Sequence, residues 1–172
     1  MNNKIKLSVG DLFKIPLDEN RYGIGVILHV AKHNFIIAIY DAIFYNSGDL
    51  NFDDLKSKTI VFLGYTLDAK IYHEDWTIVS KISPREVSEI YFPYYKLGTP
   101  PKDIFVVNYK GEKLRQATLE EFEQLDYETT IAPIRYENAL KAHFNLIEWK
   151  DDFNSILYSN VLDSVKLVGR NL

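Results

Sequence analysis

The first part of the chain repeats its apolar positions with the period of β-strands. Phe13, Ile15 and Leu17 occupy every second position, and the same spacing resumes at Tyr22 after a polar turn. Residues 35–45 form an almost continuous apolar run, which is typical of a central strand buried on both faces. Further strands are predicted, with bounds 59–66, 76–82 and 103–109.

Two glycines interrupt the second predicted strand. Gly23 and Gly25 share one face, opposite an apolar face that begins at Tyr22. A strand glycine often marks a bulge, a bend or the close approach of another group. We therefore predict a structural role, either strong coiling of the sheet or a ring such as Tyr40 or Trp76 lying across the pair. A ligand that approaches the bare backbone is the alternative.

The spacing of apolar residues changes to a helical period near residue 118. Thr118 and Glu121 form the pattern of a capping box, which marks a helix start. Leu119, Phe122 and Leu125 fall on one face of this helix. We predict that these three side chains face the protein interior.

Two more helices are predicted in the last part of the chain, one beginning at Pro133, which fits a first helical turn, and one over residues 151–162. A short helix is also predicted at 51–58. The predicted class is α+β, with a β-rich N-terminal small barrel or curled antiparallel sheet (SH3-like) and a helical C-terminal part. The predicted domains are a β-rich domain at 1–115 and a helical extension, packed on it, at 116–172.

Composition narrows the class of protein. The chain has 172 residues, no cysteine and a net charge of −4, which argues against a disulfide framework and against a nucleic-acid binder. Residues 1–115 carry 15 basic and 14 acidic side chains, whereas residues 116–172 carry 5 and 10. No apolar run approaches the roughly 20 residues of a membrane helix, and the start of the sequence has no apolar segment of signal-peptide length. We predict a cytoplasmic protein with no membrane contact.

No catalytic or metal-binding pattern stands out. Gly23-x-Gly25 does not continue as a nucleotide-binding loop, because the third glycine position is Leu28. His29 and His33 would lie about 13 Å apart on an extended strand, too far to share a metal ion. We therefore predict no catalytic residue, no metal site and no cofactor, and a protein that is not an enzyme.

Two groups of residues are candidates for contact with a protein partner. The first consists of five acids within nine residues: Glu120, Glu121, Glu123, Asp126 and Glu128. Charge runs on helices are most often solvated faces, but five acids exceed what the dipole of one helix start requires. The second group lies in the proline- and aromatic-rich segment 89–101, where exposed tyrosines would be favoured interface anchors: Tyr91, Tyr94 and Tyr95. These rings could instead cover the end of the sheet.

The opening segments, VGDLFKIPL at 9–17 and RYGIGVIL at 21–28, resemble the start of the immunity protein 26 family, whose members share a similar G-D-x-F-x-I-P-L and R-Y-G-x-G-x-V-L pattern. YDAIF at 40–44 and WTIVSKI at 76–82 are also similar. The resemblance implies an immunity protein of a bacterial polymorphic toxin system, which neutralises a cognate toxin domain by binding it. The family has no agreed catalytic residues, so none are transferred.

The sequence leaves other functions open. A weaker resemblance links the opening Gly10-Asp11 strand to small-barrel toxins of the MazF type, which cleave RNA and need basic residues around their groove. Such a basic cluster is missing from this acidic sequence. A small-molecule or peptide binder that uses the tyrosine-rich segment is a further alternative. We favour the hypothesis that this protein inhibits a toxin stoichiometrically. We expect that toxin to be a nuclease.

Overall fold

The computed structural model describes residues 6–46, 53–100 and 102–169. The strands are β1 (Asp11–Pro16), β2 (Arg21–Val30), β3 (Phe35–Tyr40), β4 (Phe44–Tyr45), β5 (Ile60–Thr66), β6 (Thr77–Lys81), β7 (Tyr95–Thr99), β8 (Lys102–Val107), β9 (Lys113–Gln116) and β10 (Thr130–Ile131). The helices are α1 (Asp53–Lys56), α2 (Ala69–Tyr72), α3 (Pro84–Val87), α4 (Leu119–Gln124), α5 (Pro133–His143), a 3-10 helix (Asp151–Ile156) and α6 (Tyr158–Gly169).

The main sheet has the strand order β10-β5-β3-β2-β1-β6, and β4 pairs with β2. Its strands are antiparallel except for β10, which runs parallel to β5. The outer strands of this order, β10 and β6, do not pair with each other, so the sheet is open. The α+β class and the predominantly antiparallel sheet are confirmed, and the sheet is not a closed barrel.

The central strands are buried on both faces. All six residues of β3 are buried, as their uninterrupted apolar sequence predicts. Along β2, Ile24 and Val26 belong to the hydrophobic cluster on one face, and Ile27 belongs to the cluster on the other. Helix α5 and the 3-10 helix pack on the Ile27 face, and α6 packs on the opposite one. The alternation read from the sequence therefore describes a sheet between two helical layers.

The strand glycines provide room for side chains that pack on the sheet. A Cβ at Gly23 would overlap the Leu140 side chain of α5, and a Cβ at Gly25 would overlap the ring of Phe13. Phe13 is the direct cross-strand partner of Gly25. The structural role predicted for the pair agrees with this packing, but the ring over Gly25 belongs to Phe13, with Trp76 stacked on it at a centroid distance of 5.2 Å.

A second, smaller sheet with the order β7-β8-β9 lies near the C-terminal helices. Val106 of this sheet, Leu125 after α4 and Leu167 of α6 form a third hydrophobic cluster. Strand β7 was not predicted, because the aromatic and proline-rich segment around it was expected to resist regular structure. Strand β9 was also not predicted, because Leu114 is the one apolar residue among its four positions.

The C-terminal helices differ from the predicted ones in their bounds. α4 ends at Gln124, and the predicted third helix is a 3-10 helix followed, after Leu157, by α6. Of the short helix predicted at 51–58, residues 51 and 52 lie outside the described residues. The division at residue 115 stays a prediction, and elements on both sides of it contribute to all three hydrophobic clusters.

Candidate functional site

The exposed part of the predicted acidic group lies on and just after α4. Glu120 and Glu123 are exposed on this helix. Asp126 and Glu128 are exposed too, but they lie beyond the end of the helix in an extended segment. The backbone of that segment is attached to the small sheet, because the Lys96 N–H donates to the Asp126 carbonyl at 2.9 Å. The structure thus distributes the predicted acids over a helix and the strand-like segment that follows it.

Glu121 has a different environment from its neighbours, and its place in the predicted contact group needs correction. Its side chain is 0% exposed. The guanidinium of Arg115 donates to both carboxylate oxygens, and the backbone N–H of Thr118 donates to one of them at 2.8 Å. The capping box predicted from Thr118 and Glu121 is confirmed. Because this carboxylate is occupied inside the protein, Glu121 orders the fold and presents no surface to a partner.

The predicted buried face of α4 is correspondingly wrong in part. Leu119 is 74% exposed, whereas Leu125 is buried at 2%. Phe122 is partly buried beneath the ammonium group of Lys96, which lies 4.7 Å from its ring centroid. The capping box turns Glu121 inward, and this rotation leaves Leu119 in solvent.

A cleft of about 360 Å³ lies between α6, the end of α4 and the segment before β7. Its apolar floor includes Leu63 and Val161, and Tyr94, Tyr95 and Asp126 line its walls. Of the described residues that line it, the charged ones are Asp126 and Asp163, both acidic. The structure therefore brings one predicted acid and two predicted tyrosines to a single concave surface.

Hydrogen bonds through the Ser164 side chain and through the backbone connect the walls of this cleft. The N–H of Tyr94 donates to Ser164 Oγ of α6 at 3.1 Å. Ser164 Oγ in turn donates to the carbonyl of Val161 at 2.7 Å. The wall that carries Asp126 is held by the Lys96 hydrogen bond described above. These bonds connect the segment before β7 to α6 on one side and to the segment after α4 on the other.

The three candidate tyrosines differ in exposure. Tyr91 is 57% exposed, and its N–H donates to the hydroxyl of Tyr158 on α6 at 3.1 Å. Tyr95 packs into the hydrophobic cluster of the main sheet beside Tyr65, and burial raises the pKa of its hydroxyl. Tyr94 is partly buried against the third cluster. Tyr94 and Tyr95 thus pack against the hydrophobic clusters, and both residues also line the cleft.

Glu128 lies away from the cleft. Although Glu128 is exposed, neighbouring groups partly desolvate its carboxyl and raise the pKa of that group. Burial is the main cause of the raised pKa of the Tyr65 hydroxyl, and the charge of Glu128 adds to it. Glu128 therefore belongs to the surroundings of the Tyr65 and Tyr95 rings. It is separate from the acids that border the opening.

The wall formed by α6 was not predicted from the sequence. Asp163 and Ser164 lie beyond the predicted end of the third helix at residue 162. The spacing of Val161 and Val168, two helical turns apart and both buried, was the signal that would have extended that helix. A helix carried to Gly169 would have placed Asp163 among the candidate acids.

The described residues were also compared with the requirements of a metal site and of a membrane-spanning helix. Among the residues that the structure describes, no group of three or more His, Cys, Asp and Glu side chains could hold a metal ion. None of the helices in the described ranges combines the length and apolar character that crossing a bilayer requires.

The fold is of the α+β class, with an open, mostly antiparallel sheet between helices. An acidic cleft lies between α6, the end of α4 and the segment before β7. Residues 8–100 match the family model for immunity protein 26, which is more than half of the 172 residues. The chain therefore belongs to the immunity protein 26 family, and the predicted resemblance is confirmed. No curated protein and no solved structure matches this chain. The family gives the chain an immunity role, in which the partner is a toxin protein, and favours a non-enzymatic inhibitor.

The family match ends at residue 100. Strands β1 to β7 lie within it, whereas β8, β9 and helices α4 to α6 follow it. The tyrosines of the cleft consequently come from the matched part of the chain. Both of its carboxylates come from the part beyond the match.

Proposed function

We propose that this protein neutralises a nuclease toxin by binding it stoichiometrically, with no turnover. Family membership supports a protein toxin as the partner. The nuclease assignment is supported by the charge distribution, since residues 116–172 carry 10 acidic and 5 basic side chains. A nuclease must hold phosphates in a basic groove, and an acidic face complements such a groove.

The observation that carries this proposal is the exposed acidic surface around α4. Glu120 and Glu123 project from the helix, and Asp126 lies at the adjacent cleft. A cluster of exposed carboxylates raises the rate of association with a basic partner and orients the encounter. We infer that this surface approaches the substrate groove of the toxin and blocks it.

The setting of this proposed activity is the cytoplasm of a bacterium that encodes a polymorphic toxin system. In that setting the inhibitor protects the cell from a toxin made by itself or by related cells. A large gene with a variable C-terminal domain directly upstream would support this setting. A solitary gene, or one among metabolic genes, would argue against it.

The alternatives from the sequence have unequal support. The alternative of a nucleic-acid-acting small barrel rested on the resemblance of the opening Gly10-Asp11 strand, and the main sheet of this chain is open. A small-molecule or peptide binder has one observation in its favour, the cleft of about 360 Å³, which is near the lower end of the roughly 300–1,000 Å³ usual for ligand pockets.

Titration of the purified protein against the nuclease activity of the adjacent toxin domain tests the proposal. We expect residual activity to fall linearly with added protein and to reach zero near one equivalent. Complete protection by a small fraction of an equivalent would indicate catalysis and overturn the binding mechanism. Full nuclease activity at several equivalents would overturn the inhibitor assignment for that toxin.

A further inference from the structure

We propose that the cleft between α6 and the segment before β7 receives an arginine side chain of the protein partner. This inference rests on the proposed function, and it names the contact by which the partner is held. Two half-buried tyrosines, Tyr94 and Tyr95, line the cleft together with two aspartates, Asp126 and Asp163. No basic residue is among the described residues that line it.

The chemistry of the walls favours a guanidinium group over other occupants. A planar guanidinium stacks on tyrosine rings and binds carboxylates through paired hydrogen bonds, whereas an ammonium group is a compact and strongly hydrated charge. The apolar floor at Leu63 and Val161 suits the methylene stem of such a side chain. An acidic partner side chain would be repelled by Asp126 and Asp163.

The two carboxylates differ in how they are engaged within the chain. Asp163 forms an ion pair with Lys166 at 3.6 Å, with side chains 73% and 66% exposed. An ion pair so exposed contributes little, so an incoming guanidinium can replace Lys166. Asp126 is exposed, and its backbone carbonyl accepts from the Lys96 N–H, which holds the backbone that carries this carboxylate at the wall.

The position of the cleft along the chain fits a contact that selects one partner. Its aromatic wall lies within the family match, and its acidic wall lies after residue 100. A second depression, of about 590 Å³, is lined by both acidic and basic residues, among them Lys58, Arg85 and Glu89. Its mixed charge does not single out one ligand, whereas the charge of the first cleft does.

The test uses the full chain and a small probe, N-acetyl-arginine amide, followed by amide shifts in two-dimensional NMR spectra. We expect saturable shifts at Tyr94, Asp126 and Ser164 that require millimolar probe. The double variant Asp126→Asn/Asp163→Asn should weaken the affinity for the probe at least severalfold. Glu148→Gln/Asp151→Asn, which removes two exposed acids outside the cleft, is the charge-matched control and should leave the affinity unchanged.

Three results would overturn the proposal. N-acetyl-norleucine amide, which has no charge, would give the same shifts if the cleft selected apolar groups only. Shifts scattered over surface acids and equally reduced by Glu148→Gln/Asp151→Asn would indicate nonspecific charge binding. The absence of shifts in the cleft would show that it does not take the side chain.

A second measurement separates this inference from the proposed function. With a toxin that the parent protein inhibits, Asp126→Asn/Asp163→Asn should bind at least tenfold more weakly than Glu148→Gln/Asp151→Asn. Unchanged affinity of Asp126→Asn/Asp163→Asn would overturn the cleft contact and leave the inhibitor role in place. Arginine binding in the cleft of a protein that inhibits no adjacent toxin would overturn the proposed function alone.

Discussion

The guanidinium of Arg115 holds the buried carboxylate of Glu121 through two hydrogen bonds of 2.7 and 2.6 Å. Arg115 lies on β9 and Glu121 on α4, so the pair joins the small sheet to the helix that follows it. The same carboxylate also accepts the N–H of Thr118, and the Arg115 side chain is 26% exposed. With these three donors on one carboxylate, the Arg115–Glu121 pair holds α4 and its exposed acids against the small sheet.

Glu121→Gln should lower the free energy of unfolding by about 3 kcal/mol, near the lower end of what removal of one partner of a buried ion pair costs. The amide keeps the size of the side chain but cannot accept from all three donors as the carboxylate does. Urea unfolding followed by circular dichroism measures the change. Glu120→Gln, one residue earlier and exposed, should stay within about 0.5 kcal/mol of the parent. Equal stability of the two variants would contradict the anchoring role.

Gly25→Val should lower the free energy of unfolding by about 1 to 3 kcal/mol, the usual cost of overpacking a core. The added side chain would occupy the space of the Phe13 ring, which the stacked ring of Trp76 holds in place. Thermal and urea unfolding measure this. Gly169→Ala is the matched control, because a Cβ at Gly169 meets nothing within 4 Å.

A double-mutant cycle identifies the clash itself. Phe13→Leu removes the ring and should destabilise on its own by leaving a cavity. In that background Gly25→Val should cost less than in the parent, because the smaller side chain leaves room. Additive costs would place the strain elsewhere in β2. Normal unfolding of Gly25→Val together with lost toxin binding would make Gly25 a contact residue.

The free energy of unfolding should decrease as the pH is lowered into the acid range, because Glu137 is protonated there. This buried carboxylate accepts from the ammonium of Lys141 at 2.8 Å and from Trp76 Nε1 at 3.2 Å, and Lys70 lies 3.3 Å away. Burial alone would raise the pKa of Glu137, but these partners outweigh burial and hold the pKa below its ordinary value of 4.5. Below that pH the unfolded chain binds a proton that the folded chain still excludes.

The free energy of unfolding should therefore decrease as the pH falls from 4.5 through the lower pKa of folded Glu137, and the contribution should be complete above that window. Urea unfolding at a series of pH values measures the slope. Glu137→Gln should be less stable at neutral pH and show a shallower slope in the acid range. An unchanged slope would mean that Glu137 does not titrate as the ion pairs require.

Glu120→Gln/Glu123→Gln should slow association with the toxin severalfold at low salt and less at high salt, because salt screens exposed charges. Glu121 is left intact so that the fold is preserved. Stopped-flow mixing at two salt concentrations measures the rate. The control, Glu19→Gln/Glu148→Gln, removes the same charge from other exposed positions and should have a smaller effect. If the two variants associate equally fast, net charge alone accounts for the rate, and α4 does not steer the encounter.

The sequence by itself determined the elements whose signals are local. Alternation along β2 and the apolar run of β3 encode burial on one or both faces, and the capping box of Thr118 and Glu121 fixes the start of α4. These signals suffice because they depend on neighbours within a few residues. The opening motifs also carried the family resemblance, which the match over residues 8–100 confirmed.

Only the tertiary structure decided which polar side chains are accessible. Glu120, Glu121 and Glu123 look alike in sequence, yet Glu121 alone of the three is buried, because Arg115 on a neighbouring strand supplies a partner for its charge. The cleft likewise joins Tyr94 to Asp163 across about 70 residues of chain. Burial of a charge and the shape of a cleft depend on partners brought together by folding, and no local pattern specifies them.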